Sequence, residues 1–279
     1  MFTITFANLK GGVGKSTAAL SLAEAICLAN KRVVIIDLDP EARITAYLQE
    51  KPCSDLKYNH LARNPYYLEK ILIKTGRNMS LAPGNPELFK FKDHLIKFDL
   101  KIEILKKSLG PIARRFDYCI IDTAPEHNLW LQNAICTADL VIIPTTPDYF
   151  AEETIKKARK DLGLELTPNI FGKHTTTHID KPVSPAINGD KPNCIHTPQV
   201  KVLLVDFDPD SRIARKTREM FTNNYSNNIF STTIPNSISL AKRPTAVANS
   251  LNQDLFSHAA FSFINLAKEI FDNEKGKTR

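Results

Sequence analysis

Eight residues near the start constrain this chain more than any others: Lys10-Gly11-Gly12-Val13-Gly14-Lys15-Ser16-Thr17. Only ten glycines occur in 279 residues, and three of them fall in this window. Residues 3–7 before it form a short β-type run, and residues 16–29 after it carry an Ala/Leu-rich helical pattern. Glycines between a strand and a helix let backbone N–H groups wrap an anion, to which the helix N-terminus adds partial positive charge. A further apolar run, 32–37, is continuous, as expected of a parallel strand covered on both faces. Together these make one βαβ unit whose loop suits a polyphosphate.

The alternation continues along the chain. Apolar runs at 118–122, 140–144, 201–206 and 229–234 are separated mostly by helix-like stretches, among them 100–116, 129–137, 152–162 and 211–221. The pattern predicts an α/β, P-loop NTPase-like fold: a mostly parallel sheet with helices on both faces. Residues 255–271 put Phe256, Ala260, Phe263, Ile264, Ala267 and Phe271 on a recurring face and read as a closing amphipathic helix packed on the core. Residues 163–199, with prolines at 168, 182, 185, 192 and 198, read as a polar surface insertion in a single domain spanning 1–279.

Composition narrows the function classes. The balance of 37 Lys+Arg against 30 Asp+Glu gives +7, which suits an anionic partner such as nucleic acid or acidic membrane. No apolar run approaches the roughly 18 residues of a membrane span, and the N-terminus lacks a basic leader, so a cytoplasmic location is expected. Five cysteines without a Cys-x-x-Cys pair argue for reduced thiols, with Cys27, Cys119 and Cys136 as small core hydrophobes. His174, His178, Cys194 and His196 have poor spacing for zinc.

The Gly-Lys-Ser ending of the loop assigns Lys15 to the β- and γ-phosphates and Ser16 to Mg²⁺. A standard P-loop has glycine five residues before Gly14, where Leu9 stands, and Lys10 follows it. The window instead matches a deviant Walker A motif, Lys-Gly-Gly-x-Gly-Lys-[Ser/Thr]-Thr, and here the chain resembles the ParA/MinD family of ATPases, in particular the ParA/Soj-type partition ATPases. The resemblance implies ATP and Mg²⁺ as cofactors and nucleotide contacts from Lys10, Gly11, Gly12, Val13, Gly14, Lys15, Ser16 and Thr17. It also implies that Lys10 reaches across a dimer interface to the partner's nucleotide, as an arginine finger does elsewhere.

Asp37-Leu38-Asp39-Pro40 follows the second strand at the carboxyl edge of the sheet, where open α/β folds bind ligands. It resembles the family's Asp-x-Asp-Pro switch. That resemblance makes Asp39 the residue that positions the attacking water, and catalytic together with Lys10 and Lys15; Asp37 supports the magnesium shell. Glu41-Ala42-Arg43 depart from the Gln and small or amide residues usual there. Asp122, followed by Thr123-Ala124-Pro125, resembles the Walker B region, so Ser16, Asp37 and Asp122 form the implied metal set.

A second segment, 202–213, echoes 33–44 almost residue for residue, including Asp206-Phe207-Asp208-Pro209. Only the earlier copy stands one helix after the glycine loop. The later copy therefore reads as a strand, a turn and a capped helix near the base pocket. Ile234-Pro235 resembles a family segment whose backbone near the proline lines the adenine pocket, which adds Pro235 to the nucleotide contacts.

The resemblance implies a DNA-partition ATPase that hydrolyses ATP slowly. Its ATP-bound homodimer sits on nonspecific double-stranded DNA of the nucleoid, and a ParB-like centromere-binding or activator protein stimulates its release. Arg212, Arg215 and Arg218, spaced by three, with Lys216, and Lys242-Arg243 farther on, are the expected DNA contacts. A MinD-like positioning ATPase would need an amphipathic tail, and residues 272–279 have no apolar face. A nitrogenase iron-protein-like carrier needs cluster-ligating cysteines, which Cys119 inside a strand does not suit. A catalytically weak regulatory ATPase is the remaining alternative, on the strength of Glu41 and Ala124.

Overall fold

In the computed structural model the described residues are 1–49, 60–61, 64–89, 103–162, 164, 197–236 and 258–277. The strands are β1 (Phe2–Phe6), β2 (Val33–Leu38), β3 (Ile73–Lys74), β4 (Met79–Ala82), β5 (Tyr118–Thr123), β6 (Leu140–Thr145) and β7 (Gln199–Leu204). The helices are α1 (Lys15–Leu28), α2 (Arg43–Leu48), α3 (Tyr67–Ile71), α4 (Ile104–Leu109), α5 (Leu129–Thr137), α6 (Ala151–Leu162), α7 (Arg212–Tyr225) and α8 (His258–Lys277). Among the described residues the strands form one sheet in the order β3-β4-β2-β5-β1-β6-β7, parallel throughout except for the β3–β4 edge pair.

The continuous apolar runs follow from burial on both faces. On β2, Val33 and Ile35 pack toward α1 and α8, while Val34, Ile36 and Leu38 pack toward α3, α4 and α5. On β6, Leu140 and Ile142 join the first face, whereas Val141 and Ile143 meet α5, α6 and α7 on the other. A period of two on strands with helices above and below leaves little room for polar residues before the strand ends; Thr5, in the middle of β1, is accommodated by donating its hydroxyl to the Ala134 carbonyl at 2.9 Å. Those ends carry the site: the register sets Phe6 beside Asp122 and Asp122 beside Asp37.

Several expectations need correction. Residues 229–234 make no strand of their own. They run beside β7 through an isolated Val202–Ile229 bridge and the hydrogen bonds Phe230 N to Val202 O and Ile234 N to Leu204 O. The intervening amides of Ser231 and Thr232 donate instead to the Glu269 carboxylate of α8, which interrupts the ladder. Within the predicted helix 100–116, α4 ends at Leu109 and gives way to a 3₁₀ turn at Gly110–Ile112, because Pro111 lacks the N–H an α-helix requires. The strands β3 and β4 lie outside the expected runs, since Ile73–Lys74 and Met79–Ala82 are too short, and the latter too poor in β-branched residues, to stand out. On α8 the buried stripe is Ala259, Ala260, Phe263, Leu266, Ala267 and Ile270, with Ile264 and Phe271 at its margins. Each large member of that stripe contributes about 1.5–3 kcal/mol by burial. Cys27 and Cys119 are free, but Cys136 is disulfide-bonded, against the expectation of reduced thiols throughout. Pairing depends on which Cβ atoms the fold brings together, not on sequence spacing. Phe256, the histidines and cysteine weighed for zinc, Lys242, Arg243 and nearly all of the polar insertion lie outside the described residues.

Candidate nucleotide site

The glycine loop joins β1 to α1 as expected. Asn8 anchors it from below: its Nδ2 donates to the Pro144 carbonyl at 2.7 Å, and its Oδ1 accepts the Lys10 amide at 2.9 Å. Gly12 (φ 75°) and Gly14 (φ 76°) take left-handed backbone that a side chain would strain. Gly14 is the N-cap of α1 and brings no side-chain acceptor, nor does the first turn contain an acidic residue. The helix therefore begins with amide donors and partial positive charge that no local anion answers.

Lys15, the first residue of α1, is 94% withdrawn from solvent, with an exposure of 6%. Burial holds its pKa below the ordinary lysine value, opposed by the charges of Asp122 and Asp39. Asp122 has no exposure, and neither of its carboxylate oxygens has a hydrogen-bond partner. Its pKa stands well above the usual carboxylate value because of burial and then the charge of Asp37. The Ser16 hydroxyl lies near enough to favour the charged form, without hydrogen-bond geometry. Asp37 is different. Its Oδ2 accepts the Thr45 amide at 2.9 Å and the Thr45 hydroxyl at 2.7 Å, and its Oδ1 accepts the Asp39 amide at 3.2 Å. Burial pushes Asp37 up to about 6 against those bonds. Of the three residues implied for the metal, Ser16 and Asp122 thus fit a divalent cation, with an orphaned pair of carboxylate oxygens beside a hydroxyl and a cation's charge to favour their ionised form. Asp37 serves the backbone of the neighbouring loop.

Asp39 is buried and closes a tight turn in which its Oδ1 accepts the Glu41 amide at 2.9 Å. Above these carboxylates opens a cavity of about 530 Å³, lined among others by Gly12, Lys15, Ser16, Asp39, Arg43 and Pro125. That volume falls within the range of small-molecule sites.

The structure brings together Gly11, Gly12, Gly14, Lys15, Ser16, Thr17 and Asp39 on this cavity, with Asp37 and Asp122 fully buried. Val13 is buried in the loop. Lys10 is not on the cavity wall: its ammonium is half-exposed and pairs with Asp148 at 2.7 Å, in the turn before α6. Pro235 bridges to Phe207 and does not line the cavity. On α7, Arg212, Arg215, Lys216 and Arg218 are all exposed, but they do not share one face. Steps of three lag behind a turn of 3.6 residues, so Arg212 and Arg218 diverge. Arg212 and Lys216 line a groove of about 440 Å³ with Asp148, Tyr149 and Glu152. Arg218 turns to the Ser231 carbonyl at 3.2 Å and to the Phe207 ring at 5.9 Å.

Sequence reasoning missed Thr45 and Gly84. The Thr45 hydroxyl relays the Gly84 amide, at 2.7 Å, to Asp37. A Cβ at Gly84 would stand 2.9 Å from both the Asp37 carboxyl carbon and the Asp37 carbonyl oxygen, so only glycine fits there. Nothing in the local pattern marks it, because the contact comes from the strand β4 that the sequence hid.

The glycine loop and both aspartate-bearing strands fall within residues 1–164, which match the AAA_31 model, described as an AAA domain. The chromosome partitioning protein ParA of Myxococcus xanthus is 26% identical over 278 residues, covering 99% of this chain and 89% of that protein. A putative plasmid partition protein from Borrelia burgdorferi B31, solved with AMPPNP, superposes with a TM-score of 0.72 at 23% identity, over 98% of both chains. Cobyrinic acid a,c-diamide synthase from Mycobacterium smegmatis reaches 0.71 at 20% identity, over 99% of this chain and 96% of its own, so likeness of fold alone does not choose between partition and biosynthesis. With its family model covering more than half of the chain and its deviant Lys10–Thr17 loop in place on the sheet, this chain belongs to the AAA_31 family, as a P-loop ATPase of the ParA/MinD type.

Proposed function

We propose that the chain is a DNA-partition ATPase whose ATP-bound homodimer holds nonspecific double-stranded DNA and lets go on hydrolysis. The observation that carries the reading is the division of labour between two lysines. Lys15 is buried at the helix N-terminus facing the cavity, whereas Lys10 is held outside it on Asp148. With the phosphates of its own loop served by Lys15, Lys10 is available to the nucleotide of a facing protomer, which makes hydrolysis depend on dimerisation. The named ParA and plasmid-partition relatives support partition over other uses of the fold.

In this reading the amides of Gly11 to Gly14 and the Lys15 ammonium bind the phosphates of ATP, and Asp39 orients the attacking water. Ser16 and Asp122 would hold magnesium, which when bound neutralises charge on the phosphate oxygens. Asp37 and Thr45 keep the Asp39 turn in place. Arg212, Arg215 and Lys216 supply phosphate contacts to DNA on the nucleoid, and doubling their number in a dimer steepens affinity through counterion release. A ParB-like partner speeds a slow basal turnover. Light scattering of the Asp39→Ala protein tests the core of this: a dimer mass is expected with ATP and a monomer mass with ADP. Duplexes of unrelated sequence should be retarded in gels only with ATP. A monomer under ATP overturns the proposal.

A further inference from the structure

The turn after Asp39 presents two charged residues to the cavity that the reading above leaves unused. Asp39 ties the turn down from both ends, its carboxylate accepting the Glu41 amide at 2.9 Å and its carbonyl the Ala42 amide at 2.8 Å. Ala42 then takes left-handed backbone, φ 50° and ψ 42°, so the chain doubles back and α2 begins at once with Arg43. A non-glycine residue held in that region signals that the fold requires the reversal. Its consequence is that Glu41 and Arg43 line the same cavity as Gly12, Lys15, Ser16 and Asp39.

Among the described residues Arg43 has one ionic partner, Glu41. Its Nε lies 2.6 Å from Glu41 Oε2, and the two side chains are 68% and 58% exposed. A pair so exposed contributes little and exchanges readily with another anion. The guanidinium stays charged and its planar fork matches phosphate oxygens, which offer it more acceptors than one carboxylate does. Arg43 and Glu41 share the cavity wall with Lys15, and their charges are felt by its ammonium.

We infer that Arg43 is a cation supplied within the same protomer to the terminal phosphate of a nucleoside triphosphate, and that Glu41 is the carboxylate on which it waits until that phosphate arrives. The inference rests on the nucleotide reading of the cavity. It assigns Arg43 the discrimination of a triphosphate from a diphosphate, a task distinct from the overall grip of Lys15. It also gives a use to both charged departures from the family's switch sequence.

The test is titration of the otherwise unaltered chain with fluorescent N-methylanthraniloyl AMPPNP, a triphosphate that stands for ATP without being hydrolysed, and with N-methylanthraniloyl ADP, at protein concentrations where light scattering reads a monomer, so that the Asp39 carboxylate keeps the turn in place. Arg43→Ala should weaken ATP by about tenfold or more while ADP changes by no more than about twofold. Arg43→Lys should restore part of the loss, since a point charge remains without the fork. Glu41→Gln should tighten ATP by several-fold and leave ADP alone. An ATP-to-ADP affinity ratio unchanged by Arg43→Ala overturns the inference, and so does an equal loss of both nucleotides, which would make Arg43 a support of the loop. If the parent protein binds neither nucleotide, the nucleotide reading itself has failed. If the parent binds both and the ratio does not move, only the role of Arg43 has.

Discussion

Residues 33–44 and 202–213 repeat one sequence idea in two places: an apolar strand, Asp-x-Asp-Pro, and a helix opening on arginine. Locally they fold alike. Asp39 Oδ1 accepts the amide two residues on at 2.9 Å, and Asp208 Oδ1 does the same at 2.9 Å. Beyond the turn they part. Asp37 is fully buried within β2, while Asp206 lies just past β7, exposed and left-handed at φ 57°. In the later copy Ser211 caps α7 directly, its side chain accepting the Ala214 amide at 3.3 Å. In the earlier copy the N-cap is Ala42, which has no side-chain acceptor, and Asp37 performs the capping from the strand through the Thr45 amide. That long-range cap ties α2 to the sheet next to Asp122. One turn motif therefore yields an exposed corner at the sheet edge and, at the centre, a buried corner that lines the cavity, and the difference lies in the neighbouring strand.

The sharpest way to break the comparison is catalytic. Asp39→Ala should lower phosphate release from ATP by about 10²-fold or more, whereas Asp208→Ala should leave it within about twofold; equal losses would show that the two turns share the work.

A second contrast concerns the cost of the buried corner. The folded pKa of Asp122 is raised well above 3.8, so ionisation is opposed in the folded state. The unfolded chain releases this proton more readily, and stability falls as pH rises through and above that value. Asp122→Asn should accordingly stabilise the magnesium-free protein by about 1–3 kcal/mol at neutral pH, seen as a higher Tm. The gain should vanish near pH 4. Asp206→Asn, at the exposed twin position, should stay within about 0.5 kcal/mol. A loss of Tm in the Asp122 variant at neutral pH would refute the account of an unpartnered buried charge.

The smallest effects test the two caps. Ser211→Ala should cost about 1 kcal/mol in chemical denaturation. Ala42→Gly should gain about 0.5–1 kcal/mol by relieving left-handed strain. Matching signs would mean that the two helix starts are held in the same way after all.

Much of this was legible before folding. The glycine loop, the first two strands, α1 and the pairing of Lys15 with Ser16 rest on residues adjacent in sequence, where period and turn chemistry act over a few positions. Distance from the loop alone was enough to place the earlier Asp-x-Asp-Pro copy beside it, and Asp39 does line the same cavity as Gly12, Lys15 and Ser16. The basic face of α7 was less legible, because Arg218 finds the Ser231 carbonyl and the Phe207 ring, and neither lies on its own helix. The 229–234 run looked like a strand until Glu269 of α8 took its amides.

The sequence by itself determined most of the strands buried on both faces, where the glycine loop would lie, and that carboxylates would stand at the strand ends. Tertiary structure alone decided what each carboxylate does. Register aligns Asp37 with Asp122, the Thr45 amide and hydroxyl and the Asp39 amide then satisfy only the first, and the second is left with two bare oxygens. The physical reason is one of range. Periodicity and turn formation are set by residues a few positions apart, whereas desolvation, charge pairing and hydrogen-bond satisfaction depend on groups that only the order of strands in the sheet brings together.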